Sequence, residues 1–115
     1  MLTAVIAEVH ANLAALEAVL EDIEKEGAGR ILCLGDIIGY GPDPEKVVRE
    51  LRTRQAVAIQ GNHEYALLHR SYIHRMNPDP QKSLELQLQM LSAESYSYLI
   101  GLETVRVLDD VRLVH

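Results

Sequence analysis

The chain has 115 residues, with 17 acidic and 11 basic side chains and a formal net charge of −6. This acidic balance gives no strong nucleic-acid signal and argues against a polybasic membrane patch. Hydrophobic residues make up 48% and charged residues 24%, the proportions of a folded globular chain. The single cysteine, Cys33, excludes an internal disulfide framework and a cysteine-rich zinc site, and its leucine neighbours favour a buried position.

The apolar run at the start of the chain, residues 1–7, stops at Glu8 and lacks a basic beginning. It therefore predicts neither a signal peptide nor a membrane span, and we expect a cytoplasmic protein.

The first half of the chain alternates short apolar runs with helical patterns. Asn12 is the expected N-cap of a helix that ends at Gly27, and Asp43 followed by Pro44 marks the start of a second helix. Three buried strands are predicted, at residues 2–7, 31–34 and 56–59. This βαβαβ order predicts a mainly parallel sheet with right-handed crossovers.

The second half is less regular. Asn77-Pro78-Asp79-Pro80 predicts a turn or loop, and a helical pattern follows over residues 82–91. A further short helix is predicted to start at Ser92 and to end at Gly101. Two alternating runs between residues 105 and 114 predict a β-hairpin.

Polar side chains follow each of the three predicted strands. Glu8 and His10 come after the first, Asp36 after the second, and the run Gly61-Asn62-His63-Glu64 after the third. The carboxyl ends of parallel strands meet at one edge of a sheet, where open α/β folds bind their ligands. Carboxylates, imidazoles and an amide suit divalent Mn, Fe, Zn or Ni. The alternative is that these residues are caps and turn formers, but their occurrence after three successive strands favours a metal site.

These motifs resemble those of the calcineurin-like metallophosphoesterases, specifically their small bacterial and archaeal predicted-phosphoesterase branch. The family pattern is D-x-H, then G-D-x-x-G, then G-N-H-[DE], then a single His, then G-H-x-H. Here the first three read Glu8-Val9-His10, Gly35-Asp36-Ile37-Ile38-Gly39 and Gly61-Asn62-His63-Glu64, and His115 stands at the single His. The resemblance covers essentially the whole chain.

The resemblance implies an α/β fold in which βαβαβ begins a two-sheet αββα sandwich flanked by helices. Residues 1–115 would form a single metallophosphoesterase-like domain that stops before the G-H-x-H motif. The domain would then be incomplete at its C-terminus, either as a fragment of a longer protein or as a naturally truncated chain. Taken alone, such a chain should expose a sheet edge and bind metal poorly.

The resemblance also implies two divalent metal ions and a role for each matching residue. Asp36 would bridge both ions, His10 would bind the first, and Asn62 and His115 would bind the second. Asn62 and His63 would contact the substrate, with His63 as the catalytic histidine that protonates the leaving oxygen. Glu64 would orient His63.

Three further positions are left with open expectations. Glu8 stands where the pattern has Asp, and the extra methylene moves the carboxylate by about 1.5 Å. We expect Glu8 to remain a metal ligand with altered geometry. Ala11 replaces the usual Gly, which matters if the backbone needs a positive φ there. Tyr40 either lines the substrate pocket or packs against the following helix.

The function implied is that of a metal-dependent phosphoesterase, most simply a phosphodiesterase. It would hydrolyse a small phosphorylated or nucleotide-like substrate with water activated by the two metal ions. The alternative is a degenerate or truncated family member without catalysis, acting as a binding or assembly module. That alternative rests on Glu8 and on the missing last motif. The one basic cluster, around His69 and His74, favours a solvated segment over a substrate-facing loop.

Overall fold

A parallel sheet and a separate hairpin form the β-structure of the computed structural model, which describes all 115 residues. The three-stranded parallel sheet consists of β1 (Thr3–Ile6), β2 (Arg30–Cys33) and β3 (Val57–Ala58), with β2 in the centre. An antiparallel hairpin joins β4 (Val105–Leu108) to β5 (Val111–Val114). The helices are α1 (Leu13–Glu26), α2 (Pro44–Thr53), α3 (Asn62–Leu68), α4 (Arg70–Ile73), α5 (Pro78–Leu88) and α6 (Ala93–Ile100). The predicted α/β fold, its βαβαβ order and the hairpin are confirmed.

The first two helices begin where their flanking residues predict, and α1 also ends at the predicted residue. The side-chain oxygen of Asn12 accepts the Ala15 N–H at 3.1 Å, and Gly27 ends α1 with φ of +74°. Helix α2 begins at Pro44, whose fixed φ suits the first turn, although Asp43 makes no side-chain cap hydrogen bond.

One prediction for the second half was wrong. Residues 77–80 are not a turn, because α5 begins at Pro78 and ends at Leu88. Proline is tolerated in the first turn of a helix, where its missing N–H would have no partner. The segment after the third strand is also helical, as α3 and α4, and His69 lies exposed at their junction with its ring stacked on Tyr65.

The core lies on both faces of the parallel sheet. Its larger part is a cluster of 16 buried residues to which α1, α2, α5 and α6 contribute leucine and valine side chains. A smaller cluster of Leu32, Ile59 and Leu113 lies beneath the hairpin. The predicted burial of the first strand on both faces was wrong for Val5, which is 58% exposed at an edge of the sheet.

No helix of this chain is both long enough and apolar enough to cross a bilayer.

We predict that Cys33 resists thiol reagents in the folded chain. The side chain is fully buried, and burial raises the pKa of its thiol to about 11. Because the thiolate is the nucleophile, the folded chain should react very slowly at pH 8 and faster as the pH rises towards 11. Labelling with an aromatic disulfide should be complete within minutes in urea, and rapid labelling in native buffer would contradict the burial.

Candidate metal centre

The loops at the carboxyl edge of the parallel sheet bring the predicted ligands together. Glu8 and His10 follow β1, Asp36 follows β2, Asn62 begins α3, and His115 follows β5 directly. Ligand atoms of Glu8, Asp36 and His115 lie within 4.8 Å of one another. The loop after β1 is hydrogen-bonded to the loop after β2, because the His10 N–H donates to the Asp36 carbonyl oxygen at 2.9 Å.

A first group of electron-pair donors forms around His10. Its Nδ1 lies 2.9 Å from the carbonyl oxygen of Ile38, which only accepts hydrogen bonds, so we assign the ring hydrogen to Nδ1. In the neutral ring Nε2 then carries a lone pair, and it faces Glu8 Oε2 at 2.7 Å and Asp36 Oδ2 at 3.7 Å. One imidazole nitrogen and two carboxylate oxygens therefore point at one another.

A second group forms around His115 by the same geometry. Its Nδ1 lies 2.8 Å from the carbonyl oxygen of Leu34, which places the lone pair on Nε2. That nitrogen faces Asn62 Oδ1 at 3.1 Å and Asp36 Oδ2 at 3.5 Å. Turning the Asn62 amide over would instead let its nitrogen donate to His115 and to both Asp36 oxygens. Asn62 can thus contribute an oxygen ligand, or satisfy these lone pairs itself.

Asp36 belongs to both groups. Asp36 is only 4% exposed, and its Oδ1 accepts the His63 N–H at 3.1 Å. Its Oδ2 faces the Nε2 atoms of His10 and His115. A buried carboxylate that faces lone pairs is unfavourable unless a cation or a proton compensates it. The donor set of two carboxylates, two imidazoles and one amide fits a divalent transition metal.

Glu64 binds backbone amides and not the His63 ring that the resemblance to the family leads us to expect. Its carboxylate oxygens accept four backbone N–H groups at 2.8–3.1 Å, those of Asp36, Ile37, Ile38 and Gly61. Neither oxygen is bonded to the His63 ring, whose Nδ1 has no hydrogen-bond partner. Glu64 therefore fixes the backbone of the second and third motifs, and the expected orientation of His63 through a Glu64 hydrogen bond is not seen.

The His63 ring is held by packing. Its centroid lies 4.7 Å from that of His10, and a Cβ added at Gly39 would overlap the ring at Nδ1. Burial, together with the neighbouring His10, lowers the pKa of His63 to about 4. The ring is accordingly neutral at pH 7.

The Tyr40 ring lies beside both histidine rings of this centre. Its ring centroid lies 4.9 Å from that of His10 and 5.3 Å from that of His63. The residue is 57% exposed, and its backbone N–H is held by Ser83 Oγ at 3.0 Å. More than half of the residue is thus open to solvent.

Backbone strain is concentrated in these loops. Seven non-glycine residues have positive φ, and five of them lie around the centre: Glu8, His10, Ala11, Asp36 and Tyr40. Such conformations persist where the surroundings over-determine them, which is common at functional sites. At Ala11, where the family pattern usually has Gly, the backbone does have a positive φ, of +54°. No sequence signal marks the other four positions.

Several known proteins are similar to this chain in sequence or in structure. An uncharacterized protein of Methanocaldococcus jannaschii is 34% identical over 102 residues, which are 89% of this chain and 42% of that protein. A metallophosphoesterase from Sphaerobacter thermophilus superposes with a TM-score of 0.76 at 34% identity, over 96% of this chain and 44% of its own. A protein described as "a putative diadenosine tetraphosphatase" superposes with a TM-score of 0.70 at 27% identity, over 90% of this chain and 43% of its own.

The chain spans about half the length of these relatives, between 42% and 44%. The sequence pattern described as calcineurin-like phosphoesterase matches residues 1–111, nearly the whole chain. The protein therefore belongs to the calcineurin-like phosphoesterase family.

Proposed function

We propose that the protein carrying this chain is a metal-dependent phosphodiesterase that works with two divalent ions. The observation that carries the proposal is the meeting of two donor groups at Asp36: Glu8 with His10 on one side, and Asn62 with His115 on the other. Around His10 the hydrogen-bond geometry leaves the Nε2 lone pair directed at two carboxylate oxygens, an arrangement that a cation stabilises. Family membership supports a phosphoesterase reaction.

Phosphodiester hydrolysis needs a nucleophile at neutral pH and compensation of the charge on the phosphoryl oxygens. Divalent ions, when bound, supply Lewis-acid polarisation and activate water for in-line attack. The chain contributes the fixed positions of their ligands. Asp36 is held by backbone bonds to Glu64 and to His63, so its carboxylate does not have to reorganise when a cation binds.

We infer that His63 acts on the phosphoryl group. Its ring is neutral at pH 7, with a pKa of about 4, so the free enzyme can donate a hydrogen bond but carries no extra proton. An anionic substrate next to the ring would raise that pKa, because an opposite charge favours the protonated imidazole. We infer that substrate binding loads His63 with the proton that it passes to the leaving oxygen.

We propose a small nucleotide-like substrate, with Tyr40 as the surface against which its planar group packs. The exposed Tyr40 ring lies edge-on to His10 and next to His63, so a planar group stacked on it would stand beside the reacting phosphate. The solved relative described as a diadenosine tetraphosphatase is consistent with such a substrate class.

We predict that Asp36→Asn abolishes both metal retention and turnover. The change removes the shared negative charge, so each donor group loses its strongest ligand. Metal per chain should be measured by elemental analysis after Mn²⁺ incubation and desalting of the full-length encoded protein, and turnover with an aryl phosphodiester. Two ions per chain are expected for the unmodified protein, and turnover should fall by about 10³-fold or more in the variant.

Asp22→Asn is the matched control, since Asp22 is an exposed carboxylate on α1 away from the centre. It should leave metal content and turnover unchanged. Full metal content in Asp36→Asn would contradict the assignment of the site. Two bound ions without turnover of any phosphoester would contradict the reaction.

We predict that Gly39→Ala destroys turnover through His63. The residue has φ of +92°, which disfavours alanine by about 1–2 kcal/mol, and the new methyl group would overlap the His63 ring. Gly27→Ala separates the two effects, because Gly27 also has positive φ but has nothing within 4 Å of an added Cβ. Both variants should lose stability in urea titrations, and only Gly39→Ala should lose turnover, by about 10²-fold.

A binding or assembly module without catalysis remains the second candidate, and the position of Glu8 favours it. The Glu8 side chain is 54% exposed and its backbone has φ of +59°, so it is the least constrained of the ligands. Under the phosphodiesterase proposal, Glu8→Asp changes turnover by less than about tenfold, because the carboxylate remains. Activity that appears only in Glu8→Asp, with an inert unmodified protein, would support the binding module.

A further inference from the structure

The segment that carries Tyr40 is a strained turn. The Gly41 N–H donates to the Gly39 carbonyl oxygen at 2.8 Å, and Tyr40 between them has φ of +63°. This is a γ-turn with positive φ, a rare and strained form. It needs support from outside the loop to persist.

Helix α5 supplies that support through Gln87. This side chain is 3% exposed, and its Oε1 accepts the Gly39 N–H at 2.6 Å while its Nε2 donates to the Gly41 carbonyl oxygen at 2.7 Å. Its two ends thus hold both sides of the turn. A primary amide offers an acceptor and a donor at this spacing, which a carboxylate or an ammonium group does not. Ser83 lies one turn earlier on α5. Its Oγ accepts the N–H of Tyr40, the residue between Gly39 and Gly41.

The supported turn contacts both histidines of the centre. The Gly39 backbone lies against the His63 ring, and the Gly41 N–H also donates to the His10 carbonyl oxygen at 2.9 Å. The Tyr40 ring lies next to both imidazoles. A shift of the turn would therefore move His63 and Tyr40 together, while Asp36 would stay fixed by Glu64.

We propose that Gln87 is a positioning residue for this site: by holding Gly39 and Gly41 it places Tyr40 and His63 for the reaction. The side chain of Gln87 makes its two hydrogen bonds to this turn and none to a metal-ligand side chain. The kinetic consequence rests on the proposed phosphodiesterase function. The placement of the two rings does not, and it can be measured separately.

The test compares Gln87→Met with Gln89→Met in the full-length encoded protein. Both variants replace a side-chain amide by a side chain of similar volume, Gln87 within α5 and Gln89 at its C-terminal end. They differ in that Gln89 is exposed and its side chain makes no hydrogen bond. In Gln87→Met, kcat for an aryl phosphodiester should fall at least about tenfold while bound metal stays at the unmodified level. Gln89→Met should match the unmodified protein in both. A Gln87→Met protein that keeps kcat overturns the proposal.

A second readout does not depend on catalysis. In protein with ¹³C-labelled histidine and tyrosine, the ring resonances of His63 and Tyr40 should shift in Gln87→Met and stay in place in Gln89→Met. The exposed His74 ring serves as an internal reference and should not move. Unchanged His63 and Tyr40 resonances would overturn the proposal even if the unmodified protein turns over substrate.

One outcome separates this inference from the proposed function. If the unmodified protein hydrolyses no phosphodiester but the two resonances shift, the function fails and the positioning role stands. If Gln87→Met does not fold, Gln87→Glu is measured instead. Its carboxylate keeps an acceptor for the Gly39 N–H but has no N–H for the Gly41 carbonyl oxygen, so the Tyr40 and His63 resonances should shift, and unchanged resonances in that variant overturn the proposal.

Discussion

The arrangement of the centre depends on one buried carboxylate, that of Glu64. It lies at the third helical position of α3 and accepts N–H groups from the loop after β2 and from Gly61. The loop donors lie 26–28 residues before Glu64 in the chain and Gly61 lies three residues before it, so a single side chain joins the second and third motifs. Burial raises the pKa of the Glu64 carboxyl, while the backbone N–H groups lower it and so favour the charged form. Without this acceptor, several buried N–H groups would lose their partner at a cost of about 1–3 kcal/mol each.

Glu64 also accounts for the strain at Asp36. The backbone of Asp36 has φ of +55°, an unfavourable conformation for a residue with a side chain. Its N–H is bound by Glu64, and its side-chain Oδ1 accepts the N–H of His63. Both ends of the residue are therefore held, which leaves Oδ2 directed at the two histidine nitrogens. The conformational energy stored at Asp36 is offset by bonds that pre-organise the ligand.

The sequence predicts much of the framework because its signals are local. Asn12, Gly27 and Pro44 mark helix ends through hydrogen bonding and φ preferences that neighbouring residues alone determine. The strand order then places the polar residues after β1, β2 and β3 at one sheet edge without knowledge of any distance, whereas His115 is expected only from the resemblance to the family.

What the sequence misses is set by long-range contacts. The role of Glu64 depends on amides that lie about 27 residues away, and the sequence pattern of a motif does not show which atoms its carboxylate meets. Gln87 stands among leucines on a helix, where periodicity indicates a buried stripe but not a polar partner 48 residues away. The positive φ values at Glu8, His10 and Tyr40 are likewise imposed by packing, since none of these residues favours that conformation by itself.

The burial of the ligands decreases outward from Asp36. The Asp36 side chain is nearly inaccessible, those of His10 and His115 are partly covered, and that of Glu8 is mostly exposed. Each donor group supplies three protein atoms, counting the shared oxygen once in each, whereas divalent metals of this series take about four to six ligands. The five residues would therefore leave positions on each ion for further ligands. Because Asp36 is buried and bound by Glu64 while Glu8 is mostly exposed, the outer side chains are the ones free to adjust to a ligand, and the residue shared by both donor groups stays in place.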